Sequence, residues 1–347
     1  MPSKVYLLAW EKRAHFPQWL QKIGISTHIS SNEFVALKIH FGEQGNDGYI
    51  KPELIKPVIE DVKQKTAYPF LTDANTIYVG QRADAYHHLI VADSHGFNLT
   101  NCGCPVIIAD GLRGNSSVPV PVNLKHLKTV HIANAIFYAD SLIFLNHFKG
   151  HEISGFGGAL KNIGMGCGSR AGKYAMHDTL KPSVNLDACI GCGQCVKWCA
   201  TGALELKEKK ISFKGKNCVG CGECILSCRQ NVFNIPWDST TSAVQEKIVE
   251  YAYGVTRNKS HYSINYLNNI TQYCDCYPVT GKPLMDDIGI MASSDPVALD
   301  QASADIVNAR YGGDFWRHLF PEIDWTVQLS YAEELGLGSR KYELIES

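Results

Sequence analysis

Residues 187–200 read D-A-C-I-G-C-G-Q-C-V-K-W-C-A, and residues 216–229 read K-N-C-V-G-C-G-E-C-I-L-S-C-R. Cys189, Cys192, Cys195 and Cys199 of the first run recur as Cys218, Cys221, Cys224 and Cys228, each displaced by 29 positions. Such self-similarity is the mark of an internal repeat. Each run is C-x2-C-x2-C-x3-C, and the length and order of everything else in the chain have to be read around this doubled unit.

The spacing matches the run that carries paired [4Fe-4S] clusters in bacterial ferredoxins. Three thiolates two residues apart wrap one corner of a cubane, while the fourth points away and ligates the other cluster. Cys189, Cys192, Cys195 and Cys228 are therefore expected on one cluster, and Cys218, Cys221, Cys224 and Cys199 on the second. Gly191, Gly193, Gly220 and Gly222 allow the backbone to pass close to the sulfides, and Ile190, Val196, Val219 and Ile225 are expected to screen the clusters from water. The competing use is structural zinc, which usually gathers separated C-x2-C pairs rather than four cysteines per run. Ferredoxin runs normally continue into proline, whereas Ala200 and Arg229 follow here. Arg229 puts a positive charge beside Cys228, which should raise the potential of that cluster.

At 347 residues the chain is far longer than a ferredoxin needs, which suggests about two domains. Hydrophobic residues make up 45% and charged residues 19%, an ordinary globular balance that argues against disorder. The formal net charge is -1, and the only basic run, Lys207 to Lys210, contains Glu208, so no nucleic-acid partner is expected. No stretch reaches the roughly 20 apolar residues of a membrane helix, and residues 5–10 are too short for a signal-peptide core. Eight thiolate ligands require a reducing compartment, which points to a cytoplasmic protein of an anaerobic or microaerobic host.

Residues 4–9, 34–41, 69–73, 106–109, 141–146, 262–267 and 288–291 read as strands, being short, apolar and rich in β-branched or aromatic residues. Helices are expected over 52–62, 83–95, 243–253 and 295–310, the first opened by Pro52 and the last by Asp295 as N-cap before Pro296. The alternation stops at the cysteine runs and then resumes. It predicts a discontinuous α/β domain with a mixed or largely parallel sheet, formed by 1–180 and 237–347, interrupted by an α+β ferredoxin-like unit over 181–236.

A second constellation, residues 146–177, reads N-H-F-K-G-H-E-I-S-G-F-G-G-A-L-K-N-I-G-M-G-C-G-S-R-A-G-K-Y-A-M-H. Gly155, Gly157 and Gly158 follow a buried strand and precede Lys161, so a glycine turn could offer backbone N–H groups and a lysine to a small anionic ligand. His147, Lys149, His151, Arg170, Lys173 and His177 crowd the same stretch; any one of these histidines alone reads equally well as a satisfied structural residue. His151, Lys161 and His177 are the candidate catalytic residues. Cys102 and Cys104 read as small buried hydrophobes. Cys274 and Cys276, in Y-C-D-C-Y, are candidates for a further metal or redox site.

With those residues in place, H-F-K-G-H-E-I-S-G-F-G-G-A-L-K-N-I-G-M-G, both cysteine runs, Y-C-D-C-Y and D-I-G-I-M-A-S-S-D-P-V-A-L-D resemble the iron-sulfur-centre protein family known as domain of unknown function 362, over roughly residues 30–310. The resemblance implies an α/β domain carrying an inserted two-cluster ferredoxin unit, but no reaction. The order and spacing of His151, Lys161 and His177 are also similar to those of the nickel-pincer lactate racemase family. That likeness would make them acid/base, cofactor anchor and metal ligand; the second catalytic histidine of that family has no counterpart placed here, and those racemases lack the ferredoxin unit.

These readings converge on an oxidoreductase, or a reducing subunit, in which two [4Fe-4S] clusters relay electrons between a soluble donor or acceptor protein and a ligand near His151 and Lys161. His151, with an ordinary pKa near neutrality, is the expected proton donor. A non-catalytic electron carrier, and a racemase-like enzyme with an additional metal or organic cofactor, are the alternatives.

Overall fold

The computed structural model describes residues 2–65, 67–78, 80–177, 182–199, 201–218, 222–234 and 240–347, leaving aside the side chain of Leu226. The chain opens with β1 (Ser3–Ala9), α1 (Phe16–Ile23), β2 (Phe34–Lys38), α2 (Pro52–Lys63), β3 (Tyr68–Asp73), α3 (Ala85–Ser94), α4 (Leu99–Cys102) and β4 (Val106–Ile108). A hairpin of β5 (Ser117–Pro121) and β6 (Thr129–Ala133) leads through α5 (Asn134–Tyr138) to β7 (Ser141–His147). A smaller hairpin, β8 (Lys149–His151) with β9 (Gly155–Gly157), precedes α6 (Ala159–Cys167) and α7 (Arg170–Met176). The cysteine-bearing segment holds β10 (Ser183–Val184), α8 (Gln194–Trp198), β11 (Leu204–Lys207), β12 (Lys210–Phe213), α9 (Glu223–Ser227) and β13 (Phe233–Asn234). The chain then continues through α10 (Thr241–Thr256), β14 (Ser260–Leu267), β15 (Gly289–Ser293), α11 (Pro296–Tyr311), α12 (Phe315–Leu319), α13 (Val327–Glu334) and β16 (Tyr342–Glu346).

Among the described residues, eight strands form one sheet in the order β16-β1-β15-β14-β7-β2-β3-β4. Strands β14, β7, β2, β3 and β4 are parallel, while β15 runs antiparallel to both of its neighbours. The sheet is mixed because no crossover helix joins β14 to β15; a loop returns the chain beside the strand it has just left, and only an antiparallel partner can result. Strands from before and after the cysteine segment share this sheet, β14 pairing with β7 from Ser260 opposite Ser141 to Tyr266 opposite His147.

Every residue of β7 is buried, as expected of a parallel strand covered on both faces. Its side chains alternate between two cores. Leu142 and Phe144 join Ile163, Ile248, Leu299 and Leu329 on one side, whereas Ile143 and Leu145 join Trp19, Leu20, Ile55 and Ile59 on the other. Helices on both faces thus complete a three-layer α/β arrangement. α6 meets α10 closely at Gly164, where a side chain would run into the backbone oxygen of Ile248. Asp295 caps α11 as its sequence suggests, accepting from the Val297 and Ala298 amides at 2.9 and 3.0 Å. Cys102 and Cys104 lie in the second core, which matches their reading as small hydrophobes.

In the cysteine segment the sequence repeat has a structural counterpart. α8 and α9 begin after Gly193 and Gly222, both left-handed, at φ 73° and 71°. Each is flanked by two short strands, and the halves interlock: β10 pairs with β13 and β11 with β12. Glu223 of α9 ties the segment to the sheet body by ion pairs to Arg170 at 3.0 Å and Arg113 at 3.2 Å, and Arg113 also stacks 3.6 Å from the centre of the Trp198 ring. Ile225 is buried and Val196 partly so, while Ile190 is 66% exposed and lines the hollow that Cys189, Cys192, Cys195 and Cys228 share. Ala200, Val219, Gly220 and Cys221 lie outside the described residues, as do the expected boundaries at Lys181 and Pro236.

Candidate functional site

The chain leaves β2 outward through β3 and β4, then returns to place β7 on the other side of β2. Such a reversal is the usual ligand position in an open α/β sheet, at the carboxyl ends of the strands. At the end of β2 the Lys38 ammonium is buried, 2.9 Å from Asp73 of β3 and 2.7 Å from Asn162 Oδ1 of α6. Asn162 also donates to Asn146 Oδ1 of β7 at 2.8 Å, so one amide side chain binds the two strand ends together. Arg82, fully buried, is 3.3 Å from both Asp73 and Glu43. Burial alone would raise the pKa of Asp73, but the Lys38 ammonium 2.9 Å away holds it well below the usual carboxylate range.

The loop after β14 lowers Cys274, Asp275 and Cys276 onto these strand ends. Asp275 is buried and engaged by His147 Nδ1 at 2.9 Å and by Lys149 at 3.0 Å. His147 Nε2 contacts the Asn268 carbonyl at 2.9 Å, so both its nitrogens are occupied and its role is to brace the loop. The Cys276 amide donates to Cys274 Sγ at 3.2 Å, and Cys276 Sγ lies 3.4 Å from His40 Nε2. His40 Nδ1 accepts from the Gly42 amide at 3.1 Å, so in the neutral ring the proton is on Nε2 and faces the sulfur. Burial, with Arg82 nearby, lowers the His40 pKa and keeps that ring neutral. Hydrogen bonding from Cys274, then His40 and Lys161, hold the Cys276 thiol well below its ordinary pKa against the cost of burial, while Cys274 is pushed well above it.

His151, Lys161 and His177 lie within reach of one another's charge, His151 sensing Lys161 and Lys149 and His177 sensing Lys161. His151 is not the expected proton donor at neutral pH. Burial, reinforced by Lys161, drives its pKa well down, and the Ile153 amide donates to its Nδ1 at 3.2 Å. The neutral ring therefore offers Nε2–H as a hydrogen bond rather than an acidic imidazolium proton. Lys161 is partly buried; burial disfavours its charge, but Cys274 and Cys276 outweigh this and raise its pKa. Burial and Lys161 lower His177 to about 4.

The glycine stretch does not form the expected anion cradle. Gly155–Gly157 is strand β9, and the first amides of α6, Ala159 and Leu160, already donate to the Asp300 carboxylate at 2.7 and 2.9 Å. Gly158 is required because a Cβ there would strike that carboxylate. Arg170 is committed to Glu223, and the Lys173 ammonium donates to the Gly168 carbonyl at 2.7 Å, its pKa lowered by burial to about 8. Neither faces the His151–Lys161 group. His40, Arg82 and Lys38 were missed by the sequence reading; the position of Lys38 and His40 at the end of a buried strand was the available signal.

In the cysteine segment, Cys189, Cys192, Cys195 and Cys228 line one small hollow, with Ile190, Ile211, Val232 and Phe233. Among the described residues, no group of three or more His, Cys, Asp or Glu converges on a single ion. No helix among them is long and apolar enough to cross a membrane.

Among solved structures the chain is similar to a lactate racemase apoprotein from Thermoanaerobacterium thermosaccharolyticum, at 10% identity and a TM-score of 0.40, covering 88% of this chain and 57% of the racemase. It is similar to a Thermotoga maritima protein of known crystal structure at 10% identity and a TM-score of 0.39, covering 85% of this chain and 58% of that one. The chain therefore spans less than two thirds of either relative's length. No curated protein matches it. Residues 35–305 match the family described as a domain of unknown function, DUF362, and since that match takes in well over half of the chain, the protein belongs to this family.

Proposed function

We propose that the protein is an iron-sulfur oxidoreductase or reducing subunit, in which two [4Fe-4S] clusters in a ferredoxin-like unit relay single electrons between a soluble partner protein and a ligand bound near His151 and Lys161. The observation that carries this reading is the hollow lined by Cys189, Cys192, Cys195 and Cys228. Three of these thiols belong to the first run and the fourth closes the second, which is the division that the doubled spacing demands. A cubane spreads its thiolates over four irons, so its ligands stand wider apart than those of one ion. The left-handed Gly193 and Gly222 and the interlocked β10–β13 and β11–β12 pairs support a two-fold repeated cluster unit. Cys218, Cys224 and Cys199, with Cys221, would hold the second cluster.

The residues of the chain support a path between the two regions. α7 carries Tyr174, which packs on Gly222 of the cysteine segment, and ends at His177, which senses Lys161. At the ligand end, the Lys161 ammonium and the Nε2–H of His151 would orient an electron-rich oxygen of a small anion.

Anaerobic reconstitution with ferrous iron and sulfide tests the reading. About eight irons should bind per chain, falling to about four in Cys195→Ser, with a paramagnetic signal on reduction. Preferential uptake of zinc, or fewer than about four irons in the unaltered chain, would overturn it.

A further inference from the structure

We propose that Cys274 and Cys276 form a redox-active dithiol that exchanges an electron pair with a disulfide, Cys276 attacking as the thiolate and Cys274 resolving the mixed disulfide. The two thiols share one short loop across the carboxyl ends of the central parallel strands. Cys276 is partly open to solvent, whereas Cys274 lies beneath it at 4% exposure. An attacking sulfur must be reachable and the resolving sulfur need only reach the first, which is the division of exposure seen here. The His40 Nε2–H lies 3.4 Å from Cys276 Sγ, the Lys161 and Arg82 charges both act on the sulfur, and the Tyr78 hydroxyl donates to the Cys276 carbonyl at 3.2 Å.

This environment favours a thiolate at Cys276 over one at Cys274, the asymmetry that an attacking and a resolving sulfur need. It also explains why the loop is braced so firmly: Asp275, between the two cysteines, is anchored by His147 and Lys149, and the Asp275 carbonyl accepts from the Glu43 amide at 3.0 Å. Both sulfurs are thereby held at the same strand ends as Lys161 and His151.

The chemistry balances without any further reagent than the disulfide. Cys276 thiolate attacks one sulfur of the incoming disulfide, a new S–S bond forms, and the other half leaves as a thiolate. Consumption of the Cys276 charge removes the main cause raising Cys274, whose proton passes to the departed thiolate or to water. Cys274 then attacks Cys276, closing the internal disulfide and releasing the second half as a thiolate. Two electrons have moved from the cysteine pair to the incoming disulfide.

The couple needs no iron, so its test is separate from that of the clusters. The full chain, held anaerobically in glutathione buffers of graded oxidised-to-reduced ratio, is acid-quenched, alkylated with iodoacetamide and digested with trypsin. Fragment 260–310 contains Cys274 and Cys276 and no other cysteine. It should pass from a doubly alkylated form to an internal disulfide as the buffer becomes oxidising. In Cys274→Ser the fragment should instead accumulate a glutathione adduct on Cys276, and in Cys276→Ser it should form neither rapidly. Without glutathione, brief alkylation at pH 6 should label Cys276 at least tenfold faster than the buried Cys102 and Cys104. A fragment that stays a dithiol throughout the series, or a Cys276 no more reactive at pH 6 than those two, would overturn the proposal, whatever the iron content.

Discussion

Asp73 is buried between Lys38, Arg82 and His88, and its charge is what allows two cations to remain in the interior of the sheet. Asp73→Asn should therefore cost about 3 kcal/mol of unfolding free energy, because Lys38 and Arg82 lose their shared counter-charge, and chemical denaturation measures it. His88 makes an opposite demand. Burial lowers its pKa to about 4, below the unfolded value of about 6.5, so the unfolded chain takes up the proton first as pH falls. The stabilising contribution of the neutral ring is present above about pH 6.5 and is lost toward pH 4. The stability difference between the unaltered chain and His88→Asn should accordingly shift by about 2 kcal/mol against the unaltered chain between pH 7 and pH 5. The two cysteine runs were legible in the sequence because their spacing is set over a few covalently linked residues. Arg82 was not, since its partners Glu43 and Asp73 lie on other elements and no local pattern announces them.

The helix α6 shows how an element can be anticipated in place and misjudged in purpose. Glycines before Lys161 suggested amides free to take a ligand, but Asp300 of α11, 140 residues away in sequence, accepts from the Leu160 amide and fills that position. Asp300→Ala should leave the Ala159 and Leu160 amides and part of the Asn265 side chain without an acceptor, at a cost of about 2 to 3 kcal/mol, visible as a lowered melting temperature. Gly164 on the same helix sets its distance to α10. Gly164→Ala would push a methyl group against the Ile248 carbonyl and should cost about 1 to 3 kcal/mol, with thermal unfolding as the measure. Most sheet strands were readable from their apolar runs, within a few residues at the ends. The hairpins β5–β6 and β8–β9 were not: β5 alternates but carries two prolines, which demote a strand reading, and β8 and β9 are three residues each with three glycines between them.

In the whole molecule, the cysteine segment meets the sheet body through the ion pairs of Glu223 and through an apolar contact in which Ile77 and Tyr174 join Ile225, Val232 and Phe233. Glu223→Gln would leave Arg170, which is fully buried, without its carboxylate. The segment should then loosen while the sheet persists: faster hydrogen exchange and proteolysis across 183–234, with little change across β7 and β14, is the expected pattern. Equal destabilisation of both regions would mean that they unfold as one unit.

The sequence by itself determined the doubled cysteine runs, the alternation of strands and helices, and the resumption of that alternation after the runs, because these depend on local spacing and on which residues avoid water. Only the tertiary structure decided that β15 turns back antiparallel, that Asp300 occupies the amides once assigned to a ligand, and that Cys276 gains His40, Arg82 and Lys161 as neighbours. Those outcomes rest on contacts between residues far apart in the chain, and a charge or a hydrogen bond acts through distance in space, which linear order does not record.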